Sequence, residues 1–233
     1  LKKTIASVFQ VNATAFYEDY KNDQIPLAVQ ASTGLIATQL FNLNDVHVSG
    51  FELEGVWRPI DPFMVNFQYS HLKAEVHNAG ACIEDTVDPQ AVQPGANTAG
   101  CTQPAANANP LASIRVQNLS GQQLPEAPPN KVAINALYTW TFDPGKLTLS
   151  GTYTWKDSTY GSLFNRPYAL APSYNQVDLR ATWADSKDRY KVIAFVANVF
   201  DKTGYDNATG SLLLSPAVAG SPGGQLAINQ SLI

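Results

Sequence analysis

The stretch KVAINALYTWTFDPGKLTLSGTYTW, residues 131–155, constrains the fold more than any other part of the chain. It is two alternating runs around Asp143-Pro144-Gly145. Val132, Ile134, Ala136, Tyr138 and Trp140 share one face, as do Leu147, Leu149, Gly151, Tyr153 and Trp155 after the turn. The opposite faces carry Asn135, Thr139 and Thr141, then Thr148, Ser150, Thr152, Thr154 and Lys156. Successive side chains of a strand point to opposite faces, so a strict period of two means a β-hairpin. Such a hairpin turns its apolar face inward in a soluble sandwich, or outward to lipid in a membrane barrel.

Composition narrows the choice. Charged residues make up 15% of the 233, against roughly 25% in an average soluble domain, while the mean hydropathy is slightly polar. No apolar run approaches the ~20 residues of a membrane helix, but alternating barrel strands average to near-neutral hydropathy. The net charge of −4, with no basic block, speaks against nucleic acid. No signal peptide is visible, and Leu1-Lys2-Lys3-Thr4 reads as the tail of a strand already under way, so a fragment is expected.

Periodicity predicts seven strands: 8–20, 46–58, 63–74, 131–142, 146–158, 174–183 and 189–200, the last apolar on both faces and of undetermined orientation. Gly50 and Gly55 in the second strand are read as relieving crowding or marking a bulge. The connections alternate. PIDP (59–62), DPG (143–145) and DSKD (185–188) are short; 21–45, 75–130, 159–173 and everything after Asp201 are long. In an antiparallel sheet this puts all short turns at one end and all long loops at the other, as in an outer-membrane barrel with periplasmic turns and extracellular loops. Aromatic residues agree. Trp57, Trp140, Phe142 and Trp183 precede short turns and Phe63 follows one, while Tyr17, Tyr69, Tyr153 and Trp155 lie nearer the long loops. These positions fit two interfacial girdles.

Residues 77–129 have the composition of a surface loop, rich in Ala, Asn, Pro, Gln and Gly, and hold the chain's two cysteines, Cys82 and Cys101. A local disulfide in an oxidising compartment is the simpler reading. It would staple a flexible loop with a nominal stabilisation of roughly 3 kcal/mol. A metal pair with His77, Glu84 and Asp85 is the alternative, but its spacing fits no zinc pattern. Catalytic constellations are not found. Ser70 and His71 point to opposite faces, and no nucleophile-elbow, zinc-protease or phosphate-loop motif occurs. Glu52 and Glu54 share a face. They are weighed as an acid/base pair or as charges lining a wet interior, paired with Arg58 or Arg180. No enzymatic activity and no cofactor are expected.

Four segments carry a resemblance: VNATAFYEDYKNDQI (11–25), VSGFELEGVWRPID (48–61), LPEAPPNKVAINALYTW (124–140) and FVANVFDKTGY (195–205). In this order they resemble the C-terminal part of the barrel of TonB-dependent outer-membrane receptors, over nearly the whole chain. The more specific features are the Gly50, Glu52, Glu54 strand, LPEAPPNK and NVFDKTGY. The resemblance implies an all-β transmembrane antiparallel barrel of 22 strands, of which residues 1–233 hold about seven. It further implies a plug domain and TonB box upstream, and a final strand downstream, all absent here, so that this piece alone has two exposed sheet edges. Its implied work is TonB-energised uptake of a scarce ligand across the bacterial outer membrane, most often an iron-siderophore complex. The alternatives are a passive porin-like barrel or a soluble all-β binding module. The implied partners are outer-membrane lipid, TonB acting through the plug, and a small ligand. Gln10, Asn12, Thr14, Glu52, Glu54, Asn66, Gln68, Thr152, Asp178 and Arg180 would line the lumen or face the plug. Loops 21–45, 75–130 and 159–173 would form a vestibule. Tyr160, Phe164 and Tyr168 are candidate ligand contacts there, with ordinary loop packing the weightier reading.

Overall fold

The computed structural model describes residues 2–5, 8–30, 36–84, 99–102, 116–212 and 226–232. Its strands, in chain order, are β1 (Lys2–Ile5), β2 (Phe9–Gln30), β3 (Ile36–Ile60), β4 (Phe63–Asn78), β5 (Ile83–Glu84), β6 (Val116–Gln117), β7 (Asn130–Phe142), β8 (Gly145–Lys156), β9 (Thr159–Tyr160), β10 (Leu170–Ala171), β11 (Tyr174–Asp185), β12 (Lys191–Val196), β13 (Tyr205–Leu212) and β14 (Leu226–Leu232). Eight of them form one antiparallel sheet in the order β1-β2-β3-β4-β7-β8-β11-β12. The seven expected strands are all in it. The eighth is β1, the strand end legible at the amino terminus.

The register settles the faces. One rung runs Ile5, Phe9, Trp57, Val65, Ala136, Gly151, Leu179 and Val196, apolar or glycine in all eight strands. The adjacent rung runs Thr4, Gln10, Val56, Asn66, Asn135, Thr152 and Asp178, polar save for Val56. A one-residue slip anywhere would exchange these faces. The apolar face is uncovered: Trp140 is 43% exposed, where a soluble sandwich would bury it. β12 takes the same alternation, with Val192, Ala194 and Val196 opposite Trp183, Ala181 and Leu179. That fixes the orientation its double-sided apolarity left open and places Ile193 and Phe195 on the polar face.

Aromatics bracket the apolar face. Trp57, Phe63, Tyr138 and Trp140 form a chain with centroid distances of 6.1, 6.4 and 4.5 Å near the short turns. Phe51 and Tyr69 pair edge-on at 5.6 Å toward the other end, where Tyr153 and Trp155 also lie. From Trp140 to the Val132–Trp155 rung the wall rises about 20 Å for strands tilted by about 40°, close to the ~25 Å apolar band of a membrane barrel.

Several sequence expectations change. Residues 21–45 are not a loop: β2 and β3 stay paired to Gln30 opposite Ile36, a hairpin far longer than the wall. Pro26 is tolerated because it lies where β2 pairs only with β3, and an edge strand has no second ladder to break. Neither Gly50 nor Gly55 marks a bulge; the register is continuous through both, and the shifts fall at Asp45/Val46 and between Trp57 and Ile60. A Cβ at Gly50 would meet the His71 carbonyl, and one at Gly55 the Phe67 ring, so both glycines answer to close approach. The last wall strand ends at Val196, short of the expected residue 200. Residues 205–212 and 226–232 pair as a hairpin within the stretch read as a long loop.

The buried core lies at the long-loop end, outside the wall. Leu43, Val46, Val76, Ala79, Ile83, Leu119, Leu163 and Phe164 form one cluster, with Ile25, Leu27, Phe41, Val48 and Leu124 packed on it. The described parts of connections 21–45, 75–130 and 159–173 therefore build a packed cap. Within 77–129, read as a flexible loop, Ala79, Ile83, Leu119 and Leu124 instead belong to this packing; residues 85–98 and 103–115 lie outside the described residues. Cys82 and Cys101 are joined as a disulfide. Asp85, invoked in the metal alternative, lies outside the described residues, and no metal-holding group of His, Cys, Asp and Glu occurs among them.

Candidate functional site

The ten residues expected to line a lumen all fall on the polar face. Asn12, Glu54 and Gln68 occupy one rung, Gln10, Asn66, Thr152 and Asp178 the next, and Thr14 and Glu52 a third; Arg180 follows opposite Ser150. Several neighbouring side chains satisfy one another, whereas Asn12 Oδ1 is buried without a partner among the described residues. The Asn135 amide donates to Thr152 Oγ1 at 2.8 Å, and Thr139 and Thr148 share a hydroxyl contact at 3.0 Å. Along β11 the Tyr174 hydroxyl donates to Gln176 at 3.0 Å, and the Gln176 amide donates to Asp178 Oδ1 at 2.7 Å. The ion pairs considered for Glu52 and Glu54 do not form. Arg180 lies four strands from β3, and among the described residues no ion pair joins either glutamate to Arg58 or Arg180.

Near the cap this face hollows into a depression of about 610 Å³ lined by Glu52, Glu54, Gln68, Lys131, Lys156, Gln176 and Asp206, among others. Lys131, Lys156 and Asp206 are site residues that the sequence reading did not single out. The signal for the two lysines was present: both stand on the Thr face of the opening hairpin, at its open end. Asp206 had no such signal, because it reaches the wall from β13.

Two signature motifs prove to be seams. In LPEAPPNK, Leu124 packs on the cap core, and Glu126, at a φ of 57°, donates its backbone N–H to the Tyr160 carbonyl at 2.9 Å. Asn130 accepts from the Tyr69 hydroxyl at 2.8 Å and donates to Asp157 at 3.0 Å. In NVFDKTGY, Asn198 takes a φ of 51°. Its N–H donates to Asp178 Oδ1 at 2.7 Å, and its amide and carbonyl exchange bonds of 2.9 Å with Lys202. That turn ends β12 and sends the chain up to β13.

The three candidate ligand contacts part company. Phe164 is 6% exposed and its ring belongs to the cap core. Tyr160 is half-buried on β9, against β10. The side chain of Tyr168 lies outside the described set. Asn165, unnoticed in the sequence, ties two connections together: its amide donates to the Gln123 carbonyl at 2.9 Å and its Oδ1 accepts the Gln123 N–H at 2.7 Å. Where the cap hairpin leaves the wall, hydrogen bonds with Asp45 and Asp19 hold the Lys21 ammonium above its ordinary range. The same contact with Lys21 holds the Asp45 carboxyl below its own.

These features define a class of protein, and comparison with known proteins agrees. The family described as TonB-dependent receptor-like, beta-barrel matches residues 4–199. The chain belongs to this family, one of transport receptors of the bacterial outer membrane. Among solved structures it is similar to the ferric yersiniabactin uptake receptor of Yersinia pestis, with a TM-score of 0.63 and 14% identity over 100% of this chain and 26% of that one. It is also similar to a siderophore receptor of Acinetobacter baumannii, with a TM-score of 0.57 and 17% identity over 87% and 23% of the two chains. The ferric preacinetobactin receptor of the same organism gives 0.54 and 14% over 98% and 26%. At such identities the likeness is one of fold, and the chain spans about a quarter of these proteins' length. A comparison with curated protein sequences yields no match.

Proposed function

We propose that the chain forms wall and mouth of an outer-membrane receptor for TonB-energised uptake of a small scarce ligand, an iron-siderophore complex. One observation carries this reading: across eight strands a mainly apolar face backs a mainly polar one in continuous register, with a packed cap at one end. The family supplies the transport class. Similarity to receptors named for ferric siderophores favours iron chelates within it. In this reading the long-loop end faces outside and the short turns face the periplasm. The chain is then a segment of a larger barrel, completed by strands beyond β1 and β12, with a plug domain inside. Gln10, Asn12, Thr14, Glu52, Glu54, Asn66, Gln68, Thr152, Asp178 and Arg180 face that lumen. Trp57, Phe63, Trp140, Tyr153, Trp155 and Trp183 meet the lipid interfaces. Tyr160 borders the vestibule, while Phe164 stiffens it.

Mechanistically, the cap presents a preformed mouth and the polar wall a wet path beneath it. The chain's own residues bind and guide; the energy comes through TonB acting on the plug. The test is iron uptake by cells carrying the full-length receptor as sole candidate transporter, with and without TonB. Uptake that needs both is expected. Uptake that persists without TonB would point to a passive pore, and no receptor-dependent uptake would sink the reading.

A further inference from the structure

The polar face holds a juxtaposition that its alternation does not require. Lys131 and Lys156 are directly opposed across β7 and β8, where like charges destabilise a sheet. Relief reaches one of them. Lys156 Nζ lies 3.2 Å from Asp206 Oδ1, with side-chain exposures of 22% and 63%. Asp206 is not a wall residue; β13 carries it in from the cap side. Lys131 is exposed and takes part in no ion pair among the described residues. Glu52 stands on the same rung but two strands away from Lys131, about 10 Å at the usual strand spacing. Lys131, Lys156 and Asp206 line the same depression, with Glu52 and Glu54 also in its lining, so the two lysines are its cationic groups.

We propose that Lys131 and Lys156 form a subsite for an anionic group of the transported ligand, a carboxylate or catecholate oxygen of a net-anionic metal chelate. In this arrangement Asp206 holds the site as an internal competitor. The inference rests on the uptake reading above and adds the ligand's charge class to it. A carboxylate already sits against Lys156, so the site admits an oxyanion. It comes from an exposed side chain on a separate element, so it can be displaced without unpairing the wall. The consequence is a pair of opposite signs. Removing a lysine weakens capture, and removing the Asp206 charge strengthens it.

The test uses the full-length receptor, purified in detergent, with ferric citrate and ferric enterobactin as anionic probes, ferrichrome as the neutral one and ferrioxamine B as the cationic one. The wild type is expected to prefer an anionic chelate. Lys131→Gln and Lys156→Gln should each weaken that binding about two- to fivefold, the scale of one partly exposed charge contact. Lys131→Arg should retain it, and Asp206→Asn should tighten it by a similar factor. Heat-modifiable gel migration verifies that each variant keeps its barrel. Preference for ferrichrome or ferrioxamine B, or an Asp206→Asn variant that binds no tighter, overturns the subsite and leaves the uptake reading standing. Binding of none of the four overturns both.

Discussion

Asp185 closes the β11–β12 turn by itself. Its Oδ1 accepts the N–H groups of Arg189 at 2.6 Å and Tyr190 at 3.1 Å, and its Oδ2 the Arg189 guanidinium at 3.1 Å. Burial alone would raise its pKa, but these donors outweigh burial and hold the carboxyl below its ordinary range. A group depressed on folding stabilises the native state above its unfolded pKa, and that stabilisation is lost as pH falls through the folded value. The turn should therefore keep full strength above a pH of about 4 and loosen below it. Protection factors for the amides of Arg189 and Tyr190 should fall over that window and be lost at neutral pH in Asp185→Ala. Protection that is indifferent to both changes contradicts this role. At the same scale, Gly55→Val should displace the Phe67 ring, which covers the glycine and stacks on Phe9 at 6.1 Å. The sequence gives little warning of such residues. DSKD reads as a turn, yet nothing in it says that Asp185 ties the turn together. Asn165 and Asn198 look like ordinary loop asparagines until their positive φ values and paired amides are seen.

Among elements, the wall hairpins were legible because each face has a single neighbour for its whole length, water or an apolar phase. Alternation then follows residue by residue. The cap was not legible, because its core draws single residues from distant segments: Leu43, Ile83, Leu119 and Phe164 share no period. The β2–β3 extension was hidden by KNDQIPLAVQ (21–30), where Pro26 and a run of polar residues read as the start of a long loop. If the cap is a packed unit, truncating its centre should unfold it locally. Leu119→Ala, at a residue with no exposed surface, should cost about 2–5 kcal/mol. It should raise amide exchange across the cap while the wall strands stay protected. Equal loss in wall and cap would mean that the two are one cooperative unit. Reducing the Cys82–Cys101 bridge should act in the same place, worth roughly 3 kcal/mol nominally, and leave the wall untouched.

For the whole molecule, two faces of opposite chemistry run through eight strands, and a charge should be tolerated on one and not on the other. Ala136→Arg, in the middle of the apolar rung, should cost about 2–4 kcal/mol, the midplane value for a barrel's lipid face. Thr152→Arg, opposite Asn135 on the polar face, should cost far less, measured by folding into lipid vesicles. The most direct check uses the tryptophans. All four in the chain, Trp57, Trp140, Trp155 and Trp183, lie on the apolar face. Single-tryptophan variants of the full-length receptor, reconstituted in vesicles of lipids brominated at several depths, report whether that face meets the membrane. The prediction is strong quenching at all four sites, strongest for bromines near the interfaces. No quenching at any of them, with a protein that stays soluble without detergent, would place this face in a soluble interior and contradict the account.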